Sequence, residues 1–217
     1  MTDTEVSREV LAAVKRLAAR GELSGASMAD IATEAGITRV TLYRRGETRP
    51  AIIAALRDEL LREERELVLP LLAGDGDAGT RLTRVLEGVC ATTEAHADLL
   101  AGLDNATLNA IWHDEGPDAL TRSEFIAPIV RLLRDGELDG SLRTFPDPEV
   151  AATVLYTQVT YTYLHLRREH GWTAEDTTAA VIDLAVGGLL PGDGSPRGLA
   201  SLGAIARGAI LPGKRTQ

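Results

Sequence analysis

A single cysteine, Cys90, leaves no partner for an intramolecular disulfide and no set of thiolates for a zinc cluster. It lies in the apolar run VLEGVCATTE, where a buried, inert thiol is expected. No apolar stretch approaches the roughly 18 residues of a membrane-spanning helix, and the N-terminal MTDTEVSREV lacks the apolar centre of a signal peptide, so the expected location is the cytoplasm. Glycine-rich phosphate loops, a nucleophile elbow and paired histidine motifs are all missing, and the acidic residues are scattered as on solvated helix faces. An enzyme is therefore not expected. His96 and His113 have Asp98 and Asp114 nearby in sequence but form no ligand pair at i, i+4 spacing, so neither a metal nor another cofactor is expected. Sustained polar–apolar alternation is absent as well, which argues against strands, and no internal repeat is visible.

What the sequence does hold is apolar spacing of three and four residues along almost every segment, with 44% hydrophobic and 25% charged residues. The expected fold is all-α, with about nine helices. Val6, Val10, Leu11, Val14 and Leu17 mark one face of a first helix ending near Gly21. Ser27 and Asp30 stand at capping-box spacing before a second helix that stops at Gly36. Thr38 suits the N-cap of a short third helix running to about Arg45 and halted by Gly46. Thr48 can cap a long fourth, with Pro50 tolerated in its first turn and Pro70 breaking or kinking its end. The segment GDGDAG at 74–79 reads as a linker. Further helices are expected at about 80–96, 98–112, 118–135, 147–169 and 173–190, with breaks at Gly116-Pro117, from Gly136 to Pro148, and at Gly171.

Charge is unevenly placed. The formal net charge is −9, yet residues 1–60 carry nine Lys/Arg against nine Asp/Glu, so the acidity belongs to the rest. Between 37 and 50, Arg39, Arg44, Arg45 and Arg49 face one acid, Glu47. The segment MADIATEAGITRVTLYRR at 28–45 has the form of two helices crossing at a glycine turn, with small Ala32 at the crossing and Ile37 and Leu42 turned inward. The second helix then presents Arg39, Val40, Thr41, Tyr43 and Arg44 outward, a face suited to the DNA major groove. Arginine can pair with guanine, and Val40 and the Thr41 methyl can touch thymine methyls. Tyr43, Thr48, Arg49 and Ser27 suit phosphates, and Thr38 and Arg45 complete the expected DNA-binding set.

The run TRVTLYRRGETRPAII after ADIATEAGI resembles the DNA-binding domain of the tetracycline-repressor (TetR) family over about residues 7–55. A first helix ending in ARG and the T-L-Y triplet carry the resemblance, as does the T-R-P-A-I start of the fourth helix, where Arg49 stands at the family's phosphate-binding lysine. Gly46 replaces a usual aromatic and Leu17 a frequent phenylalanine, a departure that implies looser packing of the third helix on the fourth. Farther on, GELDGSLRTFPDPEVAATVL resembles the family only weakly.

The resemblance implies a helix-turn-helix domain at 1–47 and a helical effector-binding and dimerisation domain at 48–190, linked by the long helix 48–71. A loosely ordered tail is expected at 191–217. It implies a transcriptional regulator, in the family's usual mode a repressor, released from a palindromic double-stranded DNA operator by a small-molecule effector. A homodimer would pair through helices 147–169 and 173–190, where Ala180, Val181, Leu184, Ala185 and Gly188 form a stripe of small and apolar residues. Expected effector contacts are Trp112 and Tyr163 for stacking, Asn105 and His113 for polar groups, and Tyr156 and Thr160 beside them. A helical protein–protein interaction module that does not bind DNA is the alternative.

Overall fold

The computed structural model describes residues 6–113 and 121–191, and it is all-helical: ten α-helices and no strand among those residues. In chain order they are α1 (Arg8–Ala19), α2 (Met28–Glu34), α3 (Arg39–Arg44), α4 (Arg49–Leu72) and α5 (Ala78–Ala95), then α6 (Ala97–Ala101), α7 (Asn105–Trp112), α8 (Ser123–Asp139), α9 (Pro148–Arg168) and α10 (Ala174–Gly187). A 3-10 turn, Leu23–Gly25, joins α1 to α2. The chain forms two compact units, Met1–Glu66 with Ala95–Phe125, and Leu67–Glu94 with Ile126–Gln217. The expected tail lies outside the described residues apart from Pro191, as does the expected break at Gly116-Pro117.

In the first unit the helix ends follow from three glycines. Gly21, Gly36 and Gly46 all have φ between +71° and +74°, the left-handed region that costs a glycine nothing. Each lets the next residue turn back on the helix just ended: Glu22 N–H reaches Leu17 O, Ile37 N–H reaches Ala32 O and Glu47 N–H reaches Leu42 O, at 2.9, 2.9 and 3.1 Å. The starts are capped by side chains. Ser27 Oγ accepts from Asp30 N–H (3.3 Å) while Asp30 accepts from Ser27 N–H (2.8 Å); the Ser27 hydroxyl, donating to the Asp30 carboxyl at 2.7 Å, and then the Ser27 amide hold that carboxyl below its usual range. Thr38 Oγ1 accepts from Thr41 N–H at 3.1 Å. Val10, Val14, Leu17, Ile31, Ala32 and Leu42 meet in one buried cluster, so α1 supplies the floor on which α2 and α3 cross.

One expected helix is two. The segment 98–112 breaks at Gly102, where a Cβ would stand 3.3 Å from Ala18 Cα and from Leu23 Cβ; the chain passes so close to the end of α1 that a side chain would push its neighbours aside by a few tenths of an ångström. Asp104 then caps α7, accepting from Thr107 N–H at 2.7 Å.

The second unit corrects two other boundaries. Gly136 does not end a helix, because α8 continues to Asp139; the Leu142 side chain lies across this glycine, 2.5 Å from where a Cβ would be. The expected linker is partly helical, since Ala78 and Gly79 open α5, and Asp139 and Ser141 accept their amides at 2.8 and 3.0 Å. α4 runs through Pro70 for two more residues, and its last carbonyl, Leu72 O, takes Arg81 Nη1 at 2.9 Å. α9 starts where Asp147 accepts from Glu149 and Val150 amides, and α10 where Thr173 accepts from Asp176. Glu94 ties α5 to α9, accepting from Tyr163 Oη (3.0 Å) and Arg167 Nε (2.8 Å). Cys90 is fully buried and its thiol is pushed up to about 12 by that burial.

Candidate nucleic-acid interface

Six residues make α3, and their phase is fixed by Leu42, which is fully buried. Once Leu42 points to the core, the helical period turns the neighbours outward. Val40 is 76% exposed and Tyr43 46%; Thr38, Arg39, Arg44 and Arg45 are exposed and Thr41 is half-buried. Val40 and Tyr43, three residues apart, share one outward side of α3.

The outward side chains are partly ordered by one another. The Arg39 guanidinium lies 5.4 Å from the centre of the Tyr43 ring, and the Thr38 and Thr41 hydroxyls are 2.9 Å apart. Arg45 Nη1 donates to Glu9 on α1 at 2.8 Å, so part of its charge is already matched. Ser27 is exposed at the start of α2 and Thr48 at the start of α4, where its Oγ1 accepts from Ala51 N–H at 3.4 Å. Arg49 is exposed too, and its Nη2 donates to Ala26 O at 2.7 Å.

Glu47, the lone acid among these arginines, does not share their surface. It is 1% exposed, and its Oε1 accepts from Ser7 N–H at 2.7 Å. The outward face of 38–49 thus keeps its arginines while its carboxylate is buried against α1. Sequence reading missed this residue as anything but a negative charge; the bond spans forty positions, and no local pattern announces it.

Two more ion pairs brace α1 against α2. Glu34 accepts from Arg16 Nε at 2.6 Å and Arg20 Nη2 at 2.7 Å, and these two guanidiniums hold its carboxyl well down, to about 2.

The residues expected at an effector pocket fall into the two units. Asn105 is exposed in the first turn of α7, Trp112 is buried at its end, and His113 is half-buried, its backbone paired with Thr121. These belong to the first unit. Tyr156, Thr160 and Tyr163 belong to the second, buried along one face of α9. The Tyr163 hydroxyl is pushed up to about 12, chiefly by burial and then by Glu94, and Thr160 Oγ1 bonds back to Tyr156 O at 2.9 Å. A pocket that sequence reading did not name lies within the first unit, about 400 Å³ counting its open mouth; Val14, Ile31, Ile52 and Leu56 line it with Arg49 and Asp104. Of the stripe on α10, Leu184 and Gly188 are exposed, whereas Ala180, Val181 and Ala185 are buried within their own chain.

No family model and no curated protein sequence matches the chain. Solved structures do. A TetR-family transcription regulator from Shewanella sp. PV-4 is 15% identical, with 88% of this chain and 100% of that one covered at a TM-score of 0.62. The ketosteroid transcriptional regulator KstR2 of Mycobacterium tuberculosis is 18% identical, covering 87% and 98%, with a TM-score of 0.59. The transcriptional regulator FadR of Bacillus subtilis, solved in complex with stearoyl-CoA, is 15% identical, covering 83% and 97%, with a TM-score of 0.65. These regulators, the first of them of the TetR family, match this chain over nearly their whole length despite such low identity: the chain has the fold of TetR-family transcription regulators.

Proposed function

We propose that this protein is a sequence-specific DNA-binding transcriptional regulator, a repressor that a small-molecule effector releases from its operator. The observation that carries the proposal is the outward face of α3, where Arg39, Val40, Tyr43 and Arg44 stand exposed over the buried Leu42. Arg39 and Arg44 offer paired donors for guanine, and Val40 with the Thr41 methyl offers apolar contact for thymine. Ser27, Tyr43, Thr48 and Arg49 serve as phosphate contacts, which set position without reading sequence, and Thr38 and Arg45 complete the DNA-binding set. Residues 1–47 are the reading domain in this proposal, and 48–190 the effector and dimerisation domain.

A head of this size reads a two-fold operator as a pair, with recognition helices about 34–36 Å apart. The proposed homodimer pairs α9 and α10 with their mates. Support comes from Val154 at 59% and Leu184 at 55% exposure, with Val150 one turn before Val154. Effector and DNA then act on each other by linkage: a ligand favouring a head spacing that does not fit the operator weakens DNA binding by the factor by which DNA weakens ligand binding. Among structures of the same fold, one regulator is named for ketosteroids and another holds stearoyl-CoA. Asn105, Trp112, His113, Tyr156, Thr160 and Tyr163 are the proposed effector contacts, and α4, which has residues in both units, is the proposed lever.

Fluorescence-anisotropy titration with labelled DNA from beside the protein's own gene, at several salt concentrations, tests the reading. Specific binding in the nanomolar range that weakens steeply with salt supports it; weak binding that is equal for all sequences rejects it in favour of a protein-binding module.

A further inference from the structure

The turn between α3 and α4 is joined to the start of α1 twice. The outer link is the exposed pair Arg45–Glu9. The inner one is Glu47, whose Oε1 takes the amide of Ser7 at 2.7 Å. Ser7 is the N-cap of α1, and its own hydroxyl makes no cap bond. Glu47 takes the amide of that N-cap residue from forty residues away, the donor that the third residue of a capping box takes elsewhere, at a helix end where the backbone dipole favours a negative charge. Its Oε2 and Ser7 Oγ are buried without a hydrogen-bond partner.

A carboxylate in such a place is costly, because burial strips its water and only one oxygen recovers a bond. An apolar residue would avoid that cost but leave the Ser7 amide without its acceptor, so filling the space is a poor reason for the carboxylate. Direction is a better one. α3 has six residues, too few for a helix to hold itself in water, so its orientation comes from Leu42 packed in the core and from what grips its ends. At its C-terminal end Glu47 grips both ways: its N–H closes α3 on Leu42 O at 3.1 Å, and its carboxylate closes α1 on Ser7. Gly46, at φ +74°, turns the chain so that one residue can do both.

We infer that Glu47 is a positioning residue for DNA reading: its buried carboxylate, bonded to the Ser7 amide, sets the direction of α3 on α1 and thereby the register of Arg39, Val40 and Thr41 against base edges. This rests on the DNA-reading function proposed above. It adds a residue that touches no DNA to those that determine which sequence is read.

Three variants of the full chain test it: Glu47→Ala, Glu47→Gln and Ser7→Pro. Glutamine keeps an acceptor oxygen. Proline deletes the donating N–H at a residue whose φ of −66° already suits it. Each is titrated against the preferred operator and against random duplex of equal length, with its melting temperature recorded. Glu47→Ala and Ser7→Pro are expected to lose about tenfold or more in operator affinity while affinity for random DNA stays within about twofold. Glu47→Gln is expected to retain operator affinity within about threefold, and the double variant Glu47→Ala/Ser7→Pro to be no worse than either single one, since both remove the same bond. Should Glu47→Ala fail to fold, Ser7→Pro carries the comparison. The inference is overturned if folded variants lose only melting temperature, if operator and random DNA are affected alike, if glutamine behaves as alanine, or if neither Glu47→Ala nor Ser7→Pro folds. Wild-type protein that prefers no sequence at all defeats the DNA-reading function itself, a failure seen before any variant is compared.

Discussion

Arg49 Nη2 donates to the carbonyl of Ala26 at 2.7 Å, joining the first residue of α4 to the residue that precedes the N-cap of α2. A guanidinium has five donors in a planar fork, so one can hold the backbone while others face a phosphate. Arg49 is thereby tied to the residue before Ser27, and two of the expected phosphate contacts sit at adjoining helix starts.

Arg49→Ala is therefore expected to weaken binding to all DNA sequences alike and to lower the slope of log affinity against log salt by about one. Arg49→Lys keeps the charge and loses the fork, and is expected to fall between wild type and alanine. Salt titrations on two unrelated duplexes check both; a loss confined to one duplex would contradict the assignment to phosphate.

Arg39→Ala and Thr41→Ala act differently in this account. Each is expected to change the preferred base at one position of the half-site, at a cost of about 1–3 kcal/mol there, and to leave the salt slope largely as it was. Binding to a set of single-base operator variants measures it. Identical behaviour of Arg39→Ala and Arg49→Ala would remove the division between reading and positioning contacts.

Glu34 gives the fold of the first unit a pH dependence with a defined sign. Its carboxyl is held to about 2 by Arg20 and Arg16, below an ordinary value near 4.5. The stability it contributes is present above the ordinary value and is lost as pH falls through the depressed one. Glu34→Gln is therefore expected to melt at lower temperature than wild type near neutral pH, with the difference shrinking as pH falls from about 4.5 toward 2. A difference that is constant with pH, followed by calorimetry, would assign the stabilisation to shape and not to charge.

Gly136→Ala is expected to destabilise the second unit by about 1–3 kcal/mol, the range for overfilling a packed site. The new methyl would overlap Leu142 at its Cβ and Cγ, 2.8 and 2.6 Å away, too near the backbone for a rotamer change to relieve. Urea unfolding of Gly136→Ala, alone and with Leu142→Ala, checks the pairing; equal losses in both backgrounds would place the strain elsewhere.

The sequence made the helices of residues 8–49 legible because their punctuation is local. Gly21, Gly36 and Gly46 end helices through positive φ, Ser27 and Thr38 cap the next residues along, and Leu42 sets the phase of α3 through the helical period alone. Where a boundary depends on a distant neighbour, glycine misleads. Gly102 was expected inside a helix and ends one, because α1 passes behind it; Gly136 was expected to end a helix and lies inside one, because Leu142 covers it. Glu47 was invisible for the same reason, since its partner is forty residues away. The proposed effector contacts were harder still. Tyr156, Thr160 and Tyr163 are buried at helical spacing, and a core face and a ligand-facing wall carry the same pattern in sequence.

Selection of a random duplex pool on the purified protein, followed by sequencing of what it retains, tests the central claim most directly. One enriched palindrome is expected, its half-sites about 10–10.5 base pairs, or a multiple of that, apart. A retained pool with no sequence preference would contradict it, and so would enrichment that survives replacement of Arg39, Val40 and Thr41 together by alanine.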